Sequence, residues 1–372
     1  MQFRQSLVAT LAVVALPFLS LFAGSNAPRT TVFDQLNAQG DVLEVILETD
    51  LDALEQLRRT DDKQPALFTY ERADGSTDEY LLNVKVRGKY RRRVCDFAPL
   101  MLKFPKKDLE RRGLAKHNDI KLVTHCIDDP VLSREQVLRE YLAYQLYAEL
   151  TTASYRTQLV KITYRDSKSN RRMKRWGFLI EDTDEMAERV GGLEADILNC
   201  EFAQVNQRQE DLMTAFNLMI GNQDYSVGVC RNVKLVEMRD GRESIPVPYD
   251  FDFSGLVDAS YAVPNPDYGA DNLRDRVYIG RAGTADLAAA VAQLHEKRAD
   301  FLDLVRNTKL LSPSARYDAA KYLDSFFDIA DFRGLLAGQV LPHGEEGAAA
   351  KLYQPNPSTP VPARKVWSVP GK

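Results

Sequence analysis

Two stretches between positions 221 and 255 carry side chains of the types that hold metal ions or move protons. The stretch GNQDYSVGVCRN supplies Asn222, Asp224 and, eight residues after Asp224, Asn232. The stretch PVPYDFDFSG supplies Asp250 and Asp252. Carboxylate and amide oxygens are the ligands that hard divalent cations select. At the ends of apolar strands such groups are costly unless a partner compensates them. Phosphoryl transfer needs this kind of set: metal ligands, an acceptor-side carboxylate, a cation on the phosphates, and positioning. Asp224, in a loop after an apolar helix, is the candidate catalytic carboxylate. Asn232 and either Asp250 or Asp252 are candidate metal ligands.

The first half of the chain offers the cations. Lys103 sits mid-strand between Leu102 and Phe104, and an inward-facing lysine there requires an anion. Glu140, on a strong helix, is its candidate ion-pair partner. Arg87 opens a basic run, 87–93, that reads as a phosphate-contacting turn. The segment 177–182, containing Ile180 and Glu181, reads as a hinge able to hold an adenine through backbone groups. Two other chemistries fit poorly. Asp250 begins D-x-D-x-S-G, the first half of a calcium loop, but the twelfth position is Tyr261 rather than Glu. No G-x-S-x-G is present, and the four histidines show no pairing logic for a serine hydrolase.

The positioning elements follow from hydrophobic period and turn residues. Strands are predicted over 42–47, 66–70, 80–87, 100–104, 119–125, 158–164 and 176–180, with Asp74-Gly75 marking a hairpin turn. A helix capped by Ser133 runs to about 150, burying Val137, Leu138, Tyr141, Leu142 and Leu146. From 183 onward the pattern is mainly helical, interrupted by a hairpin at 233–249. An amphipathic helix is predicted over 284–307 and a further helical run over 312–337. The expected fold class is therefore α+β: a two-lobed, atypical protein-kinase-like architecture. Its β-rich N-lobe spans 28–182 and its mainly helical C-lobe spans 183–340, with a flexible tail over 341–372.

Composition sets the class of partner. The 372 residues are 44% hydrophobic and 27% charged, an ordinary globular balance. A net charge of −4 gives no reason to expect nucleic acid as a partner. Residues 1–27 have the charge, apolar run and small cleavage-site residues of a secretory signal. Uncleaved, the same segment would be an N-terminal membrane anchor. No other stretch approaches the ~20 apolar residues of a spanning helix. The expectation is export to the periplasm, the cell envelope or the extracellular space. Four cysteines suit that compartment, and Cys95–Cys126 with Cys200–Cys230 is the favoured of three connectivities.

The two motifs of 221–255 resemble the spore-coat protein H (CotH) family of atypical kinases. They are also similar to the G-N-x-D…N and later Asp motifs of the HipA and phosphatidylinositol kinase groups. VKVRGKYRR…LMLKF, VLREYLAYQLYAEL and WGFLIED resemble that family's R-G turn and lysine strand, first long helix, and hinge. The resemblance spans about 42–258. It implies ATP- and Mg²⁺-dependent phosphorylation of a protein. Asp224 would be the catalytic aspartate, Asn232 and Asp250 metal ligands, Asp252 a second or substitute ligand, and Lys103 the phosphate lysine. The chain departs from the family at Lys89-Tyr90-Arg91, where small polar residues are usual, and at Tyr225-Ser226 after Asp224. The implied partner is a protein substrate or a cell-envelope partner. The alternatives are a catalytically silent structural or assembly protein and a small-molecule phosphotransferase.

Overall fold

A computed structural model describes residues 29–195, 202–280 and 287–329, together with the backbone of 339–341 and 351–352. The first half alternates apolar and polar residues in seven strands. These are β1 (Val42–Thr49), β2 (Gln64–Glu71), β3 (Thr77–Val86), β4 (Leu100–Lys103), β5 (Asp119–Val123), β6 (Thr157–Asp166) and β7 (Arg172–Ile180). They close into a barrel in the order β1-β2-β3-β4-β5-β7-β6. The expected two-lobed kinase-like fold, with a β-rich N-lobe, is thus overturned. The seam responsible is β1 against β6, paired in parallel from Val42↔Leu159 to Thr49↔Asp166. An open sheet would leave both strands as unpaired edges, and closure removes them. The inward residues form one apolar core, which includes Val45, Leu47, Phe68, Val84, Leu102, Leu122 and Ile162.

Five helices accompany the barrel: α1 (Val32–Asn37), α2 (Leu51–Gln56), α3 (Arg91–Val94), α4 (Lys106–Arg111) and α5 (Pro130–Ala148). The N-cap of α5 is Asp129, not the expected Ser133. The Asp129 carboxylate accepts from the Val131 and Leu132 N–H groups, and Pro130 occupies the first turn. Tyr141 and Tyr144 of α5 pack on Phe178, on the outer face of β7. That outer face joins a second core shared with the later helices.

The second half contains α6 (Thr183–Val190), β8 (Gly192–Glu194), α7 (Gln207–Ile220), β9 (Val233–Met238), β10 (Ile245–Pro248) and β11 (Arg276–Val277). It continues with α8 (Leu287–Glu296), α9 (Arg298–Asn307), α10 (Pro313–Phe327), β12 (Gln339–Leu341) and β13 (Lys351–Leu352). The single helix expected over 284–307 is divided at Lys297 into α8 and α9. β8, β9 and β10 form a small sheet, and β11, β12 and β13 another. The expected leader lies outside the described residues, as does most of the expected tail. No helix among the described residues is long and apolar enough to cross a membrane.

The expected Cys95–Cys126 disulfide is present, with 31 residues of separation. Cys230 is a free thiol, and Cys200, its expected partner, lies outside the described residues. The bridge ties the end of α3 to the segment after β5, where the Asp96 N–H also donates to the Cys126 carbonyl at 2.7 Å. Loop-closure entropy over such a span corresponds to roughly 3–4 kcal/mol. We therefore expect Cys95→Ala/Cys126→Ala to lose about that much stability, read from the denaturant midpoint under non-reducing conditions. A loss below about 1 kcal/mol would mean that the packing of α3 alone fixes this segment.

Candidate functional site

α7 ends at Gly221, whose φ of 66° is the left-handed cap that lets the chain turn at once into Asn222 and Asp224. The 250–256 segment is stitched alongside. The Gly255 N–H donates to the Gly221 carbonyl at 3.1 Å, and the Leu256 N–H to the Ile220 carbonyl at 3.0 Å. Tyr322 of α10 lies against both glycines, and a Cβ at either would overlap its hydroxyl. Small residues at 221 and 255 are therefore what lets the two motifs of the sequence meet.

Asp224 is held from several sides. Its N–H donates to Asn222 Oδ1 at 3.0 Å. Asn232 Nδ2 donates to the Asp224 carbonyl at 2.7 Å and to Asp224 Oδ2 at 3.0 Å. With its NH₂ committed to Asp224, Asn232 has Oδ1 left for a cation. Burial pushes the Asp224 carboxyl up to about 6; Arg231 pulls it down, and Asp252 and Asp250 push it further up. Asn232 (φ 49°) and Asp250 (φ 61°) both lie in the left-handed region. Non-glycine residues are uncommon there, and such backbone concentrates at functional sites.

Asp250 and Asp252 have different surroundings. The Asp252 side chain is 3% exposed, and its Oδ2 accepts from Arg91 Nε at 2.7 Å and from the Tyr261 hydroxyl at 3.0 Å. Asp250 is 31% exposed, with Oδ1 3.6 Å from Arg91 Nη2. Glu140 does not meet Lys103. Its Oε2 accepts from Arg91 Nη2 at 2.7 Å, and its Oε1 has no hydrogen-bond partner among the described residues. Ligand oxygens of Glu140, Asp250 and Asp252 lie within 4.8 Å of one another. Three carboxylates thus share one guanidinium, and the cluster keeps surplus negative charge. Burial, opposed by Arg91, drives the Glu140 carboxyl upward, with Asp252 and Asp250 adding to the rise. Burial also opposes the charge on Arg91, but Asp252 and then Glu140 more than offset it, so the guanidinium stays charged. Surplus charge and a half-open Asp250 fit a divalent cation on the Asp250 side.

Tyr249 and Lys234, next to these residues in sequence, line a cavity of about 880 Å³. Its barrel wall carries Arg87, Met101, Asp119 and Lys121, and Asp182, Thr183, Leu193 and Glu194 line the rest. Of the four lysines that line it, Lys106, Lys116, Lys121 and Lys234, the buried one is Lys121; the expected Lys103 is not among them. Lys121 is 7% exposed, and its Nζ donates to Thr183 Oγ1 at 2.7 Å and lies 4.9 Å from the centre of the Tyr155 ring. Burial pushes Lys121 down to about 8; Arg87 adds to the shift, and Asp182 opposes it. Lys103 ends its short strand, is 26% exposed and pairs with Asp119, its cross-strand neighbour. If the cavity takes the ATP that the resemblance implies, Lys121→Met should weaken its binding tenfold or more and Lys103→Met less than threefold, measured by calorimetric titration. The reverse order would return the phosphate role to Lys103.

The hinge residues divide in the same way. The Ile180 backbone is strand-paired to Lys121 and Thr157, and its side chain is buried. Glu181 is fully buried. Its carboxylate takes Arg156 Nε at 2.8 Å and Arg189 Nη2 at 2.6 Å, and its N–H donates to the Arg156 carbonyl. Of this segment only Asp182 lines the cavity, followed there by Thr183 and Asp184 of α6. Sequence reasoning missed Lys121 and Arg91. Both were visible as residue types, one lysine inside DIKLVTH and one arginine inside RGKYRRR. What the sequence lacked was the strand pairing that buries the first and the fold-back that buries the second.

No protein-family model matches the chain, and no curated protein matches it. Among solved structures it has a distant similarity to a kinase, the Helicobacter pylori proinflammatory kinase CtkA. The two are 10% identical, with 66% of this chain and 90% of that chain covered and a TM-score of 0.35.

Proposed function

We propose that the chain transfers the γ-phosphoryl group of ATP to a hydroxyl of a protein, with Mg²⁺ as the cation. The observation that carries this reading is the Asn232–Asp224 hydrogen bond, with Asp250 near enough to raise the Asp224 carboxyl, and the chain neighbours Lys234 and Tyr249 on the wall of the cavity that holds Lys121 and Arg87. Lys121 and Arg87 neutralise phosphate oxygens. Met101, Leu193 and Tyr249 give the same cavity apolar surface for a base. Asp250 Oδ and Asn232 Oδ1 are the atoms that would hold Mg²⁺. Such an ion would supply positive charge against what develops on the transferring phosphate. Asp224, oriented by the Asn232 amide, accepts the proton of the attacking hydroxyl. The oxygen–phosphorus bond forms as the bond to the leaving ADP breaks. A carboxyl raised to about 6 is well matched to that task near neutral pH.

The reading includes export, supported by the leader-like composition of 1–27 and by the disulfide. The test is incubation of the purified protein with γ-labelled ATP and Mg²⁺, alone and with cell-envelope protein fractions. Label on a protein hydroxyl is expected. Label on a sugar or aminoglycoside alone would make the chain a small-molecule phosphotransferase. Label on nothing would make it a catalytically silent scaffold.

A further inference from the structure

We infer that Arg91 is a built-in cation standing where a second divalent ion would sit, so that the site takes one metal ion, on Asp250, and not two. This rests on the phosphotransfer reading for the purpose of the site, but not for the geometry. The guanidinium is buried and bridges three acids. Nε donates to Asp252 at 2.7 Å, Nη2 to Glu140 at 2.7 Å, and Nη2 lies 3.6 Å from Asp250. Arg91 and the Tyr261 hydroxyl both donate to the same Asp252 oxygen, Oδ2, and so tie that carboxylate to the guanidinium. The Tyr261 ring also lies under the guanidinium, 5.6 Å from Cζ to the ring centre.

A planar fork that satisfies two carboxylates at once is chemistry a guanidinium supplies and an ammonium does not. The backbone holds the fork in place. Arg91 begins α3, which leads directly into the Cys95–Cys126 bridge, so the residue is anchored a single helical turn away. Tyr90, just before it, packs edge-on against Phe253 at 5.4 Å between ring centres. The consequence is a division of labour between two aspartates that look equivalent in DFD. Asp252 serves Arg91, and Asp250 serves the ion.

The experiment is Mn²⁺ binding to the full chain, counted by electron paramagnetic resonance and calorimetry. One ion is expected for the unaltered protein. Asp250→Asn should weaken binding at least tenfold, and Asp252→Asn should change it less than threefold. Because Asp252→Asn strips Arg91 of a partner, circular dichroism accompanies it. Should that variant not fold, Arg91→Met/Asp252→Asn, which removes both charges, is read in its place with the same expectation. Zero or two ions on the unaltered protein, or equal loss in the Asp250 and Asp252 variants, would overturn the inference. Failure of the phosphotransfer reading is distinguishable. It would show as absent label transfer with this Mn²⁺ pattern intact.

Discussion

Asp224→Asn is expected to lower ATP-dependent phosphate transfer by roughly 10²–10⁴-fold, the range a positioned general base contributes. ATP binding should stay within about threefold of the unaltered protein. The substitution keeps the shape and the hydrogen bond from Asn232 but removes the proton acceptor. The pH profile supplies a second reading of the same residue. Because burial raises the carboxyl to about 6, it is protonated and inactive below that pH. The rate should therefore climb through about pH 6 and level off above it. Single-turnover transfer from γ-labelled ATP across pH 5 to 8 measures both effects. Equal rates for the two proteins, or a rate flat through pH 6, would remove Asp224 from the chemistry.

Arg91→Ala is expected to lose roughly 3–5 kcal/mol of stability, the cost of breaking a buried ionic network by removing one partner. Asp252 and Glu140 would remain buried with no counter-charge, and Glu140 already has one oxygen without a partner. Arg91→Met/Glu140→Gln/Asp252→Asn should recover most of the loss. Once the charges go together, so does the penalty for burying them apart. Urea denaturation of the three proteins decides this. A loss below about 1 kcal/mol for Arg91→Ala would mean that the three acids are stable without the guanidinium. A triple variant no better than the single one would mean that Arg91 acts through packing.

Local pattern made most of the strands legible, because Leu82, Val84 and Val86 alternate and Asp74-Gly75 marks its turn. Closure was not legible. The parallel seam of β1 and β6 joins segments more than a hundred residues apart, and alternation along a strand does not report its neighbour. The same limit shaped the site. GNQD…N and DFD could be read as acids and amides at element ends. The choice between Asp250 and Asp252 turned on an arginine far upstream. Lys103 and Lys121 are each lysines flanked by apolar residues, and nothing local distinguishes them. Strand ends do: Lys103 closes β4 and pairs with Asp119, whereas Lys121 is mid-strand and covered by Tyr155 and Thr183. Glu181 looked like a hinge acid and is a buried anchor for two arginines.

In the proposed function the barrel wall and the acidic loops form one nucleotide site. A double-mutant cycle on MgATP affinity tests it most directly, with Lys121→Met, Asp250→Asn and their combination titrated by calorimetry. If one triphosphate with its ion joins the two residues, their effects should be non-additive by about 1 kcal/mol or more. Effects that add to within roughly 0.3–0.5 kcal/mol, as for independent positions, would contradict the account.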